Sequence, residues 1–78
     1  MFFFTEPFLE DYGYISSVDQ VKEVIAKILS AIEKNNLSRV DVTITLSNGV
    51  HTAVVFYRGD ETLEHFESRL LKEAEKHL

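Results

Sequence analysis

The sequence contains no cysteine, no tryptophan, one proline and three glycines among its 78 residues. The absence of cysteine excludes a disulfide framework, a thiolate zinc site and a cysteine nucleophile. No apolar run approaches the roughly 18 residues that a membrane-spanning helix needs. The start, MFFFTEPF, has no basic segment and is interrupted by Glu6 and Pro7, which argues against a secretory signal peptide. Because secreted proteins of this size usually carry disulfides, we expect a cytoplasmic protein.

Positive charge is also scarce. Eight Lys and Arg residues face thirteen Asp and Glu residues, so the formal net charge is −5. Direct binding to nucleic acid needs a basic surface, and this balance therefore argues against it. Hydrophobic residues make up 45% of the chain and charged residues 27%, both close to the average of globular proteins. These values predict one folded domain over residues 1–78.

Two segments have helical periodicity. Ser17 and Gln20 form a capping box, and an apolar stripe with spacings of three and four follows them. This pattern predicts a helix over residues 17–35. A second helix is predicted over residues 60–77, where acidic side chains fill the first half and lysines the second. That order of charges is favourable because it complements the helix dipole.

A β-hairpin is predicted between the two helices. Residues 39–46 alternate apolar and polar side chains, as in a half-buried strand. The turn Ser47-Asn48-Gly49 then leads into a second strand over residues 50–58.

The length of the hairpin loop decides which side chains of the second strand face the core. A two-residue loop places Val55 and Tyr57 there. A three-residue loop with a left-handed Gly49 places Val54 and Phe56 there instead. We favour the three-residue loop, because Val54 and Phe56 belong to the more apolar set and glycine suits the left-handed position.

Aromatic residues are concentrated near the start of the chain. They favour strands, so residues 2–6 are expected to form a strand that ends at Pro7. We predict an edge strand beside residues 50–58, with Phe3 facing away from Phe2 and Phe4. Residues 9–16 are expected to form a loop.

The predicted order is β-α-β-β-α, which defines an α+β domain. Its three-stranded sheet has the order 1-3-2, with both helices packed on one face. This order resembles the split β-α-β, ferredoxin-like topology without its final strand, and the resemblance implies no function. The second face of such a sheet is apolar, and a monomer rarely leaves such a face open. It is expected to be covered by a partner, by a second copy or by the N-terminal segment.

The sequence has no recognisable catalytic or cofactor motif. Its glycines form no phosphate-binding loop, and no nucleophile lies beside a base in a known pattern. Glu61 and His65 lie four residues apart on the second helix, and His51 could join them at a metal ion. Such a pair is more often a surface contact, and no further ligands support it. We therefore predict no enzyme activity, no cofactor and no metal site.

The acidic residues cluster near the start of the chain and on the second helix, where they serve either solubility or recognition of a basic partner. The predicted partner-binding residues are Phe2, Phe4, Glu6, Phe8, Glu10, Asp11, Tyr12, Tyr14, Glu61, Glu64 and Glu67. We expect a non-enzymatic inhibitor or adaptor that docks on a larger basic protein, including one that binds nucleic acid. By analogy of size and charge, immunity and anti-defence proteins belong to this class. The alternative is a homodimer that assembles through its open sheet face or edge. No membrane partner is expected.

Overall fold

A computed structural model describes residues 1–7 and 10–78. Its elements are β1 (Phe2–Glu6), β2 (Glu10–Tyr14), α1 (Val18–Lys34), β3 (Arg39–Thr45), β4 (His51–Arg58) and α2 (Leu63–Glu75). The strands form one antiparallel sheet with the order β2-β1-β3-β4. The prediction of a small α+β domain with two helices is confirmed. The predicted three strands and their order 1-3-2 are wrong, because the sheet has four strands in a different order.

The additional strand, β2, forms in the segment that was expected to be a loop. Gly13 has a φ of 77°, and its N–H donates to Oδ1 of Asp11 at 2.9 Å. The pairing of β1 with β2 shifts at this point, from Phe2 opposite Tyr14 to Phe4 opposite Asp11. Acidic residues and glycine are uncommon in strands, so local preference does not reveal β2. The strand forms because β1 offers it a neighbour with which to pair.

Strand β1 lies inside the sheet, between β2 and β3, so the prediction of an edge strand beside residues 50–58 is wrong. Since β2 and β3 are both antiparallel to β1, they are parallel to each other, and α1 connects them. The split β-α-β unit is therefore β2-α1-β3, with β1 between its strands. The chain differs from the predicted order because it turns back through β2 before the first helix begins.

The loop of the β3–β4 hairpin has the predicted three-residue form. Gly49 has a φ of 86°, in the left-handed region that favours glycine. The N–H of Leu46 donates to the carbonyl oxygen of Val50 at 2.9 Å. This hydrogen bond pairs the residues that the three-residue loop was predicted to pair.

An irregularity beyond this loop nevertheless reverses the two faces of β4. The register shifts between Thr45 and Ile44, and Ile44 pairs with Ala53, so β4 contains one residue more than β3 there. One residue of offset turns every later side chain to the opposite face. The prediction that Val54 and Phe56 face the helices is therefore wrong.

The single hydrophobic core lies between the helices and one face of the sheet. Val55 and Tyr57 of β4 face it, with only 6% and 8% of their surface exposed. Phe3 is fully buried in the same core, so its predicted orientation opposite to Phe4 is confirmed. Both helices contribute to this cluster, for example through Ile28 of α1. They consequently pack on the same face, as predicted.

Both helices begin at a capping side chain. The hydroxyl of Ser17 accepts a hydrogen bond from the N–H of Gln20 at 3.2 Å, which confirms the predicted cap of α1. Thr62 caps α2, since its hydroxyl accepts from the N–H of His65 at 3.1 Å. In the described part of the chain, neither helix has the combination of length and apolar character that spanning a membrane requires.

Candidate functional site

The face of the sheet opposite the helices is the candidate functional site. No helix of the described residues packs on it, and we call it the open face. Strand alternation and register assign its side chains. They are Asp11 and Tyr14 of β2, Phe2, Phe4 and Glu6 of β1, Arg39, Asp41, Thr43 and Thr45 of β3, and Val54, Phe56 and Arg58 of β4.

Large apolar side chains are exposed on the open face. Phe4 is 40% exposed, Val54 43%, Phe56 46% and Tyr14 57%. Phe2 is half-buried, since its ring contacts the ring of Tyr14 edge-on with the centroids 5.4 Å apart. Because an aromatic side chain presents about 150–250 Å² when fully accessible, this set exposes on the order of 350 Å². A patch of this size is comparable to the largest apolar patch of a typical monomer, which is often functional.

The open face is not flat. Thr43 pairs with Phe4 on one side and with Val54 on the other. Thr45, also on β3, pairs with Phe2. Because threonine is small, β3 forms a shallow trough along the middle of the open face. The larger side chains of β1 and β4 border this trough.

Positive charge lies at one end of β3 and β4. Nη1 of Arg58 is 2.9 Å from Oδ1 of Asp41, and Nη2 of Arg39 is 3.8 Å from Oδ2 of the same carboxylate. The guanidinium of Arg58 also lies 4.7 Å from the centroid of the Phe56 ring, a cation–π distance. Two arginines thus share one carboxylate, which leaves this end of the open face with one excess positive charge.

Negative charge lies on the other half of the open face. Glu6 of β1 and Asp11 of β2 are exposed, and among the described residues neither forms an ion pair. The open face is therefore negative along β1 and β2 and positive at the end of β3 and β4. This separation of charge is a property of the face and is not apparent from the net charge of the chain.

The structure brings five of the predicted contact residues together on the open face: Phe2, Phe4, Glu6, Asp11 and Tyr14. Tyr12 is not among them, because it packs against the hydrophobic core. Phe8 and the side chain of Glu10 lie outside the described part of the structure. Sequence reasoning missed Val54, Phe56 and Arg58, since it placed the β4 side chains on the wrong faces.

The acidic residues of α2 do not join this surface, because α2 packs on the other face of the sheet. Glu64 and Glu67 are exposed on that side. Glu61 is instead held by Arg69, whose Nη2 donates to Oε1 at 2.5 Å and whose Nε donates to Oε2 at 3.2 Å. Nδ1 of His65 lies 2.6 Å from Oε2 of Glu61. Hydrogen bonding from Arg69 is the main reason that the pKa of the Glu61 carboxyl lies below its usual value.

Arg69 also connects α2 to the sheet. Its Nη2 donates to the backbone carbonyl of Phe56 in the edge strand β4. Glu61, Arg69 and this carbonyl form a clamp, in which the acidic side chain orients the arginine. Since the clamp occupies Glu61, this carboxylate is not free to bind a metal ion. Among the described residues, no group of three or more His, Asp or Glu side chains is arranged to hold one.

Compared with protein-family models, curated proteins and solved structures, the chain matches none of them. The function is therefore inferred from the chemistry of the open face.

Proposed function

We propose that this chain is a non-enzymatic protein-binding module that contacts its partner through the open face. The observation that carries this proposal is the exposed group formed by Phe4, Tyr14, Val54 and Phe56. Acidic and basic side chains surround this group. Protein interfaces commonly combine an apolar centre enriched in aromatic residues with a polar rim.

The distribution of charge bears on the kind of partner. The sequence predicted that one acidic surface docks on a larger basic protein. The acidic residues are in fact divided between the open face and α2, on opposite sides of the sheet. A basic partner bound to the open face meets Glu6 and Asp11 and packs against the nearby aromatic rings. Roles as an inhibitor or adaptor belong to this proposal, and the cytoplasmic location stays a prediction.

Photo-crosslinking from the open face tests the proposed function. Benzoylphenylalanine replaces Phe56 in one variant and Glu64, on the opposite side, in a matched control. We expect irradiation of cells that make these variants to yield a protein adduct from position 56 in several-fold excess over position 64. The aromatic probe preserves the apolar character of the site, so binding should survive the replacement.

Equal adduct yields from the two positions, or no adduct from position 56, would contradict the use of the open face. Circular dichroism of both purified variants establishes that they are folded. The mass of the adduct then reports the size of the bound protein.

A further inference from the structure

We infer that the partner on the open face is a second copy of this chain. This inference rests on the proposed function, because it names the partner of the same surface. The two copies are related by a two-fold axis parallel to the strands. Such an axis lays β1 of one copy over β3 of the other, and β2 over β4, as two stacked sheets. Both copies then use the same residues.

The shape of the open face suits this arrangement. The side chains of Phe2 and Phe4 form a ridge along β1, whereas Thr43 and Thr45 form the trough along β3. Because β1 of one copy overlies β3 of the other, each ridge enters the opposite trough. Phe4 then contacts Thr43 of the second copy and the side chain of Val54 beside it.

The charges are complementary in the same arrangement. In each sheet Glu6 pairs with Asp41, and Asp41 pairs with Phe56, so these three residues lie at one level along the strands. The guanidinium of Arg58 lies over the Phe56 ring at this level. In the dimer, Glu6 therefore approaches Arg58 of the second copy.

This contact corrects the imbalance within one copy, where Arg39 and Arg58 share the single carboxylate of Asp41. Glu6 of the second copy supplies the missing negative charge. By symmetry the dimer contains two such contacts. A partner that carried only basic residues would leave the two arginines of the open face facing like charge, which is unfavourable.

The size of the open face also fits a small dimer. Four strands about 4.8 Å apart, with a rise of about 3.3 Å per residue, give a face of roughly 20 by 20 Å. Its corrugated accessible surface approaches the roughly 600–800 Å² per partner of the smaller specific interfaces. The described residues of one copy expose 4800 Å², so such a dimer buries only a modest share of each surface.

Sedimentation equilibrium of the purified protein tests the inference at concentrations from about 1 µM to 1 mM. We expect the mass to rise from 9.0 kDa towards twice that value as concentration increases. Thr43→Phe fills the trough and should weaken association at least about tenfold, because the two sheets can no longer approach closely. Thr43→Val is the matched control, since it preserves the size of the side chain, and it should associate like the unmodified protein.

A charge exchange tests the orientation of the two copies. Glu6→Arg and Arg58→Glu each place like charges together in both contacts, so each variant alone should associate about tenfold more weakly. Mixing the two variants restores opposite charges in both contacts. We expect the mixture to form a heterodimer with an affinity within about threefold of the original. Glu64→Arg, on α2, should have no effect.

A protein that stays monomeric at every concentration, or a dimer that tolerates Thr43→Phe, overturns the inference. So does a mixture of the charge variants that associates no better than its components. An adduct from position 56 to a different protein, with a monomeric purified chain, would support the proposed function and reject the second copy. The absence of any adduct from position 56, together with a monomeric chain, rejects both.

Discussion

Strand β4 presents two sets of similar side chains to two different surroundings. Val55 and Tyr57 face the helices and are buried, whereas Val54 and Phe56 face the open side and are exposed. All four are apolar or aromatic, so hydrophobicity does not separate the sets. The additional residue near the start of β4 separates them, because it changes the register by one. The comparison shows that a single backbone irregularity decides which side chains stabilise the fold and which remain available for contacts.

The largest expected effect comes from placing a charge on either side of β1. Phe3→Asp puts a carboxylate among fully buried apolar groups and should cost more than about 5 kcal/mol, enough to unfold a domain of this size. Phe4→Asp changes a residue on the open face and should leave the domain folded. Circular dichroism and urea titration measure both effects. Similar loss of stability in the two variants would show that the faces of β1 are not as different as the structure indicates.

Truncation of two neighbouring aromatic residues in β4 tests its two faces directly. Tyr57→Ala removes a ring that packs 5.3 Å from the ring of Phe66, and it should cost about 3–5 kcal/mol. Phe56→Ala removes an exposed ring and should cost roughly 1 kcal/mol or less. Denaturant unfolding of both variants gives the ranking. If Phe56→Ala proves the more destabilising, the core face of β4 has been assigned incorrectly.

The smallest expected effect concerns the clamp between α2 and β4. Arg69 lowers the pKa of Glu61 in the folded state, so this carboxyl contributes stability above its unfolded pKa. That contribution is lost as the pH falls through the folded pKa. The side chain of Glu61 is 15% exposed, and we expect a loss of about 1 kcal/mol or less. Unfolding measured between neutral and strongly acidic pH gives its size.

Glu61→Gln is the control for this effect, because it keeps the size of the side chain and removes the charge. Subtracting its acid profile from that of the unmodified protein isolates the contribution of Glu61. If the two profiles have the same slope, the clamp is not a source of acid sensitivity. The open face should contribute nothing to this difference, since none of its residues contacts Glu61.

The helices and the turn could be predicted from the sequence because their signals are local. The cap at Ser17 and the helical spacing of apolar residues place α1 within one residue of its observed ends. The second helix was predicted too long at both ends, since Thr62 and not Asp60 caps it. Gly49 marked the hairpin loop correctly. Each of these features depends on residues that are neighbours along the chain.

The candidate site could be predicted only in part. Aromatic and acidic residues near the start of the chain indicated a contact surface, and five of them share the open face. Nothing local indicated that Tyr12 would turn towards the core or that Glu61 would be held by Arg69. These placements depend on which strands and helices become neighbours. The contribution of Phe56 and Arg58 was missed for the same reason.

The sequence by itself determined the helices, the hairpin turn, the strand at residues 2–6 and the excess of negative charge. Propensity, capping and periodicity act over a few residues and are therefore legible along the chain. Only the tertiary structure decided that β2 is a strand, that β1 lies inside the sheet and that Val55 and Tyr57 face the core. These outcomes depend on strand pairing between distant segments, where a shift of one residue exchanges the two faces.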